Sequence, residues 1–177
     1  MADINLGHVP QGPRRADEAG REPIWDVIEL LFFAYRDFVS DPDGVLAKLG
    51  FGRAHHRVLH VVNRNPGMRV ADLLDTLRIT KQSLGRVLKQ LVDQGYILQK
   101  EGANDRRQRL LYVTPKGEGL AMKLAGLQTT RIARALAELG PGAHEGARRF
   151  LIAMIDRDDR DAVQRFIARS GRARGGS

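Results

Sequence analysis

Two helical segments separated by only two residues, with a strand–loop–strand pattern after them, constrain the fold of this chain most. The first segment, Val70 to Leu77, carries its apolar residues on one face. The second starts near a plausible N-cap at Thr80, and Gly95 is its expected left-handed end. Two short helices joined by a tight turn and followed by a hairpin indicate a winged helix-turn-helix.

The wing itself is predicted from a change of period from helix to strand. Residues 96–100 and 109–113 are short strand patterns, and a charged loop separates them. Thr114 and Pro115 then form an N-cap and a first-turn proline for a long helix that we expect to reach about Leu139. The sequence therefore predicts a mainly α fold with a small β-hairpin wing.

Helices are also predicted on both sides of the helix-turn-helix and its wing. Residues 23–39 form a helical pattern that is apolar on more than one face, so its burial needs more than one neighbour, and another chain could supply it. Residues 40–44, with sequence SDPDG, predict a break. A helix over about 52–64 follows, and a final helical stretch over about 143–169 is interrupted by the charged run 156–161. The interspersed positive and negative charges of that run indicate a solvated or inter-subunit ion-pair face.

Charge and composition limit the kinds of molecule that this chain is expected to bind. The formal net charge of the 177 residues is +8, which favours a polyanion, either nucleic acid or an acidic membrane surface. Between residues 80 and 109 there are seven Lys or Arg against three acids, a net of +4. The absence of cysteine excludes disulfides, thiolate catalysis and Cys-ligated zinc. Without a signal peptide or membrane span in the sequence, we expect a cytoplasmic protein with no membrane partner.

The second helix of the pair is predicted to enter the major groove of DNA. Its outward side chains are of the types that read base edges and bind phosphates. Arginines on the hairpin can enter a narrow minor groove, and Asp105 can hold Arg107 and the turn in one shape. The predicted DNA-binding residues are Thr80, Lys81, Gln82, Ser83, Arg86 and Lys89 in the helix, and Asn104, Asp105, Arg106, Arg107, Gln108 and Arg109 in the wing.

The run from Asp105 to Gly117 resembles the wing of the multiple-antibiotic-resistance regulator (MarR) family. That wing has Asp, any residue, Arg, an apolar strand ending in Thr, and a Lys-Gly helix start. Residues 70–97 resemble the family's helix-turn-helix at the same spacing, and the whole resemblance covers about 23–169. Two features depart from it: Gly85 stands where many relatives have Ser or Thr, and the thiol-based peroxide sensing of some members is impossible without cysteine.

The resemblance implies a ligand-responsive repressor that binds a pseudo-palindrome as a homodimer with interlocked terminal helices. It divides residues 23–169 into a dimerisation helix and linker (23–50), a winged DNA-binding lobe (51–117) and a long linker helix with C-terminal dimerisation helices (118–169). Composition predicts a flexible tail at 1–22 and a flexible basic tail at 170–177. It also implies a small-molecule pocket between the dimerisation helices and the lobe. Candidate wall residues, which can equally be core packing, are Trp25, Phe32, Tyr35, Arg36, His55 and His56.

Other functions remain open on the residues alone. The same lobe could be a non-specific architectural or protein-interaction module. His56 and His60, one helical turn apart, could hold a metal or serve an enzyme, but no pair of groups has catalytic spacing. We therefore predict no enzymatic activity, no cofactor and no metal.

Overall fold

The computed structural model describes residues 22–102, 105 and 108–172. Within these residues it contains seven helices and three strands. In chain order they are α1 (Trp25–Ala47), α2 (Arg53–Arg64), β1 (Met68–Arg69), α3 (Val70–Leu77), α4 (Lys81–Asp93), β2 (Ile97–Glu101), β3 (Arg109–Val113), α5 (Pro115–Leu139), α6 (Ala143–Met154) and α7 (Arg157–Arg172). The predicted mainly α fold with a small β wing is confirmed. Of the predicted tails, residues 1–21 and 173–177 lie outside the described part of the chain.

The core of the winged lobe is built around α2. This helix packs against α3, α4, α5 and β3, and Val58, Leu59 and Val62 on its inner face are fully buried. Leucines of the surrounding elements complete the same cluster because the apolar positions of each helix recur at three- and four-residue spacing. These core side chains include Leu73, Leu77, Leu84, Leu88, Leu91, Leu111, Leu120 and Leu124.

The wing is part of a three-stranded antiparallel sheet in the order β1-β3-β2. Strands β2 and β3 pair with Ile97 opposite Val113 and Glu101 opposite Arg109. The third strand, β1, has only two residues, and Met68 pairs with Leu111. The sequence pattern predicted a simple hairpin and missed β1, because two residues carry no periodic signal and their partners in β3 are 43 and 41 positions away in the chain.

The predicted break at residues 40–44 is wrong, since α1 continues through it to Ala47. Pro42 lies inside the helix and is fully buried, as is Leu46, which belongs to the core cluster. Burial of this apolar face outweighs the missing backbone hydrogen bond of proline and the weak helix propensity of the SDPDG segment. The chain divides into two compact units, residues 1–35 and 36–177.

The last helical stretch is divided into α6 and α7 at Ile155 and Asp156. Arg160 of α7 donates hydrogen bonds to the carbonyls of Ala153 and Ile155, which closes the end of α6. Within the charged run 156–161, Asp159 pairs with Arg78 of the same chain at 2.5 Å. At least one charge of that run is therefore used inside the subunit. The helix also reaches Arg172, three residues into the segment predicted as a tail.

Candidate nucleic-acid interface

Helix α4 presents one buried and one exposed face. Thr80 is its N-cap: the hydroxyl oxygen accepts from the backbone N–H of Ser83 at 3.2 Å and donates to the Ser83 hydroxyl at 2.9 Å. Leu84, Val87, Leu88 and Leu91 are buried against the core. The cap and this apolar stripe together hold the helix in one orientation, so the opposite face is a rigid surface.

The predicted recognition residues of α4 are all exposed. Lys81, Gln82 and Arg86 make no hydrogen bond or ion pair with the residues that the structure describes. Lys89 differs, because its ammonium group lies 2.5 Å from a carboxylate oxygen of Asp93. An exposed pair of this kind contributes little stability, so Lys89 can exchange its partner for a phosphate at small cost. The exposed face therefore offers cations and an amide that are available to a ligand.

The C-terminal end of α4 is held by the first turn of α5. The Thr114 hydroxyl donates to the carbonyl of Gly95 at 2.7 Å and accepts from the backbone N–H of Gly117 at 3.0 Å. Lys116 donates to the carbonyl of Gln94 at 2.9 Å, and its ammonium group lies 4.3 Å from the centre of the Tyr96 ring. These contacts explain the Thr-Pro-Lys-Gly signature physically: it joins the end of α4 to the long helix α5.

His55 contributes to the position of α4 in a way that sequence reasoning missed. Its ring stacks on Phe51 with centroids 4.6 Å apart, and Nδ1 accepts from the backbone N–H of Gly52 at 3.1 Å. Because Nδ1 is an acceptor, Nε2 carries the proton and donates to Oε1 of Gln90 in α4 at 2.6 Å. His55, a buried residue that was predicted for a ligand pocket, thus links α2 to α4. Its position two residues after the first residue of α2 gave no signal of this role.

Arg78 occupies the turn between α3 and α4 in the left-handed region, with φ of 50°. A non-glycine residue there is strained unless its surroundings hold it. Its backbone N–H donates to the carbonyl of Leu74 at 2.9 Å, and its guanidinium pairs with Asp159 of α7. The turn of the helix-turn-helix is therefore connected to the C-terminal helix, a contact between residues 81 positions apart that no local pattern reveals.

The wing is described only in part. Asn104, Arg106 and Arg107 lie outside the described residues. Gln108 donates its backbone N–H to the carbonyl of Asp105 at 3.0 Å. Arg109 pairs with Glu101, directly across the two strands, at 2.9 Å. The predicted wing residue Arg109 thus has a carboxylate partner within the hairpin.

The six predicted pocket residues have different surroundings. Trp25, Phe32 and Tyr35 are exposed in the first unit. In the second unit, Arg36 pairs with Asp37 at 2.8 Å, and His56 is half-buried. Two clefts of about 700 and 690 Å³ in that unit lie between α3 and α7 and among α5, α6 and α7, and neither is lined by a predicted pocket residue.

His56 provides a pH-dependent contribution to stability. Burial and the neighbouring His60 lower the pKa of His56 from its ordinary value of 6.5, against an opposing effect of Asp43. The unfolded chain therefore binds the proton more readily, so the contribution is complete above about pH 6.5 and is lost as the pH falls through the lower folded-state pKa. We expect His56→Gln to reduce the fall in melting temperature between about pH 7.5 and pH 5.5.

Thermal unfolding at the two pH values measures this effect. The matched control is His144→Gln, because His144 is exposed at the start of α6. An unchanged pH dependence in His56→Gln would contradict the assignment.

Neither a metal site nor a membrane span is found in the part of the chain described. No group of three or more His, Cys, Asp or Glu side chains there is arranged to hold a metal ion. None of its helices combines the length and apolar character needed to cross a membrane.

Known proteins share this architecture. A chain of the transcriptional regulator SlyA superposes with a TM-score of 0.61 at 21% identity, covering 73% of this chain and 91% of its own. A MarR family regulator from Listeria monocytogenes, solved in complex with 26mer DNA, has a TM-score of 0.63 at 21% identity and covers 80% and 92%. Rv2887 of Mycobacterium tuberculosis, in complex with salicylic acid, has a TM-score of 0.54 at 23% identity and covers 77% and 99%.

The chain is also similar to known proteins in its sequence. The MarR family model matches residues 49–108, which contain the helix-turn-helix and most of the wing. The HTH-type transcriptional regulator PetP of Rhodobacter capsulatus is 46% identical over 129 residues, which cover 73% of this chain and 78% of PetP. With nearly half of the aligned residues identical over most of both proteins, this chain belongs to the MarR family of transcription regulators.

Proposed function

We propose that the protein is a repressor that binds a pseudo-palindromic operator in double-stranded DNA as a homodimer, and that its activity responds to a small-molecule effector. The observation that carries the proposal is the exposed face of α4, where Lys81, Gln82 and Arg86 are free of partners among the described residues. Amide and guanidinium groups at the N-terminal half of such a helix are suited to base edges and phosphates. A structural neighbour of the same fold is solved with DNA.

Dimerisation is supported by the apolar surface of residues 22–35. Ile24, Trp25, Leu30 and Phe32 are each more than 60% exposed in the isolated chain. A contiguous apolar surface of this kind marks an interface, because leaving it in water is unfavourable. A two-fold pair would also present two copies of α4 to DNA, about one helical turn apart, which matches two half-sites of a pseudo-palindrome.

DNA binding is tested by replacing Arg86. An operator is first selected from random duplex DNA with the wild-type protein, and affinities for it are then measured at several salt concentrations. We expect Arg86→Ala to weaken binding roughly tenfold, because a lost base or phosphate contact costs about 1–3 kcal/mol. Arg149→Ala, which removes the same charge from α6, is the matched control and should bind like the wild type.

The wing is tested in the same assay with Arg107→Ala, which we expect to weaken binding and reduce its salt dependence. Unchanged affinity in both Arg86→Ala and Arg107→Ala would overturn the proposed DNA-binding surface. An architectural protein would instead enrich no sequence, and its footprint would spread evenly over random DNA.

The effector part of the proposal concerns the second unit, where Arg36, His55 and His56 are the predicted wall residues. The other three predicted wall residues, Trp25, Phe32 and Tyr35, are exposed in the first unit. A structural neighbour is solved with salicylic acid. Burial of His55 between Phe51 and Gln90 gives a route by which a ligand beside α2 would act on α4. A reporter gene behind the selected operator tests repression directly, since deletion of the regulator should raise expression.

A further inference from the structure

Gly85 lies in the interior of α4, where glycine is unfavourable for the helix itself. It is less favourable there than alanine because it has more backbone freedom to lose. The fold does not require it: an added Cβ would meet no atom within 4 Å, and Gly85 is absent from the positive-φ residues. Nothing in the described protein needs this glycine, so the fold itself places no constraint on the residue at this position.

The position of Gly85 points to DNA. It is three and four residues after Gln82 and Lys81 and four before Lys89, so these exposed side chains are its neighbours on the helix surface. The missing Cβ leaves a notch between them. Lys89 is directed to Asp93, which keeps its ammonium group one turn further along α4. The notch therefore lies within the face that carries the predicted recognition residues.

The chemistry of the notch is apolar. The backbone N–H of a residue in the middle of an α-helix is used by the carbonyl four residues earlier, so Gly85 offers no donor to a phosphate. Only its Cα hydrogens face outward. In the major groove the one apolar group on a base edge is the C5-methyl of thymine, which also projects into the groove. A methyl group fits where a side chain is absent, and the Cβ of alanine would occupy the same space.

We infer that Gly85 is a specificity-determining residue that accepts a thymine C5-methyl at one position of each half-site. The inference rests on the proposed DNA-binding function and names the base that the α4 face selects. It gives a role to a glycine at a position where alanine would make the helix more stable.

The experiment uses the full chain and the operator selected by the wild type. Binding is measured for wild type and Gly85→Ala on the thymine operator and on operators in which each thymine in turn is replaced by deoxyuridine, which removes only the methyl group. We expect Gly85→Ala to bind the thymine operator roughly tenfold more weakly, within the cost of one mismatched base pair. At one position in each half-site, deoxyuridine should restore its affinity to about that of the wild type.

Protein stability separates this effect from misfolding. Gly85→Ala should melt no lower than the wild type, and Gly119→Ala, a helix-favouring change at an exposed position of α5, should bind DNA like the wild type. The inference is overturned if Gly85→Ala binds the thymine operator as tightly as the wild type does. It is also overturned if Gly85→Ala binds every deoxyuridine operator as weakly as it binds the thymine operator. In both cases the proposed function stands. If the wild type enriches no sequence at all, the proposed function fails.

Discussion

Replacing Gly117 by alanine is expected to lower the free energy of unfolding by about 3 kcal/mol, at the upper end of the usual cost of overpacking. The Cβ would lie 2.0 Å from the backbone carbonyl oxygen of Tyr96 and 2.9 Å from its carbon. Backbone atoms cannot rotate away as a side chain can, so the first turn of α5 has to separate from the end of α4. For a protein of this size the melting temperature should fall by roughly 6–12 °C.

Gly119→Ala is the matched control for this prediction. It lies two residues further along α5, where an added Cβ meets nothing within 4 Å, and alanine should stabilise the helix slightly. Thermal unfolding of both variants measures the difference. Equal melting temperatures would show that the close approach of Gly117 to Tyr96 does not constrain the fold.

Replacing Leu30 by glutamate is expected to separate the proposed dimer. Leu30 is 65% exposed in the isolated chain, in the middle of the apolar surface of residues 22–35. A charge placed in an interface is desolvated without a partner, and a two-fold dimer contains the substitution twice. If each copy costs about 2 kcal/mol or more, dimerisation should weaken roughly a thousandfold or more.

Analytical ultracentrifugation measures the dissociation constant, and operator binding should weaken in parallel because a single chain reads one half-site. Leu30→Met is the control, since it keeps an apolar side chain of similar size and should remain dimeric. Circular dichroism checks that Leu30→Glu remains folded. A wild-type protein that sediments as a monomer, or a Leu30→Glu variant that stays dimeric, would contradict this role of α1.

Local signals were sufficient to predict the winged lobe. The Thr80 and Thr114 caps are present with the expected hydrogen bonds, and Gly95 has the predicted positive φ. Each of these features depends on residues within a few positions of one another, which is the range that capping and turn preferences describe. The ends of α3, β3 and α5 therefore agree with the sequence prediction.

Contacts between residues that are far apart in the chain could not be predicted from the sequence. Pro42 is tolerated within α1 because its face is buried, β1 exists because Leu110 and Leu111 pair with it, and Arg78 is held by Asp159. The same limit applies to the candidate site. The exposed side chains of α4 follow from helix periodicity, but the bond between His55 and Gln90 depends on how α2 crosses α4.

Thr114, Lys116 and Gly117 attach the end of α4 to the first turn of α5, so that α4 moves when α5 tilts. Helix α5 has 25 residues and is therefore about 37 Å long. If α5 tilts by about 5° about its C-terminal end, its N-terminal end, where α4 is attached, moves by roughly 3 Å. This distance is close to the 3.4 Å rise between successive base pairs of DNA. If α4 binds DNA as proposed, small changes of angle among the helices at the far end of α5 would be enough to shift α4 relative to the bases that it contacts.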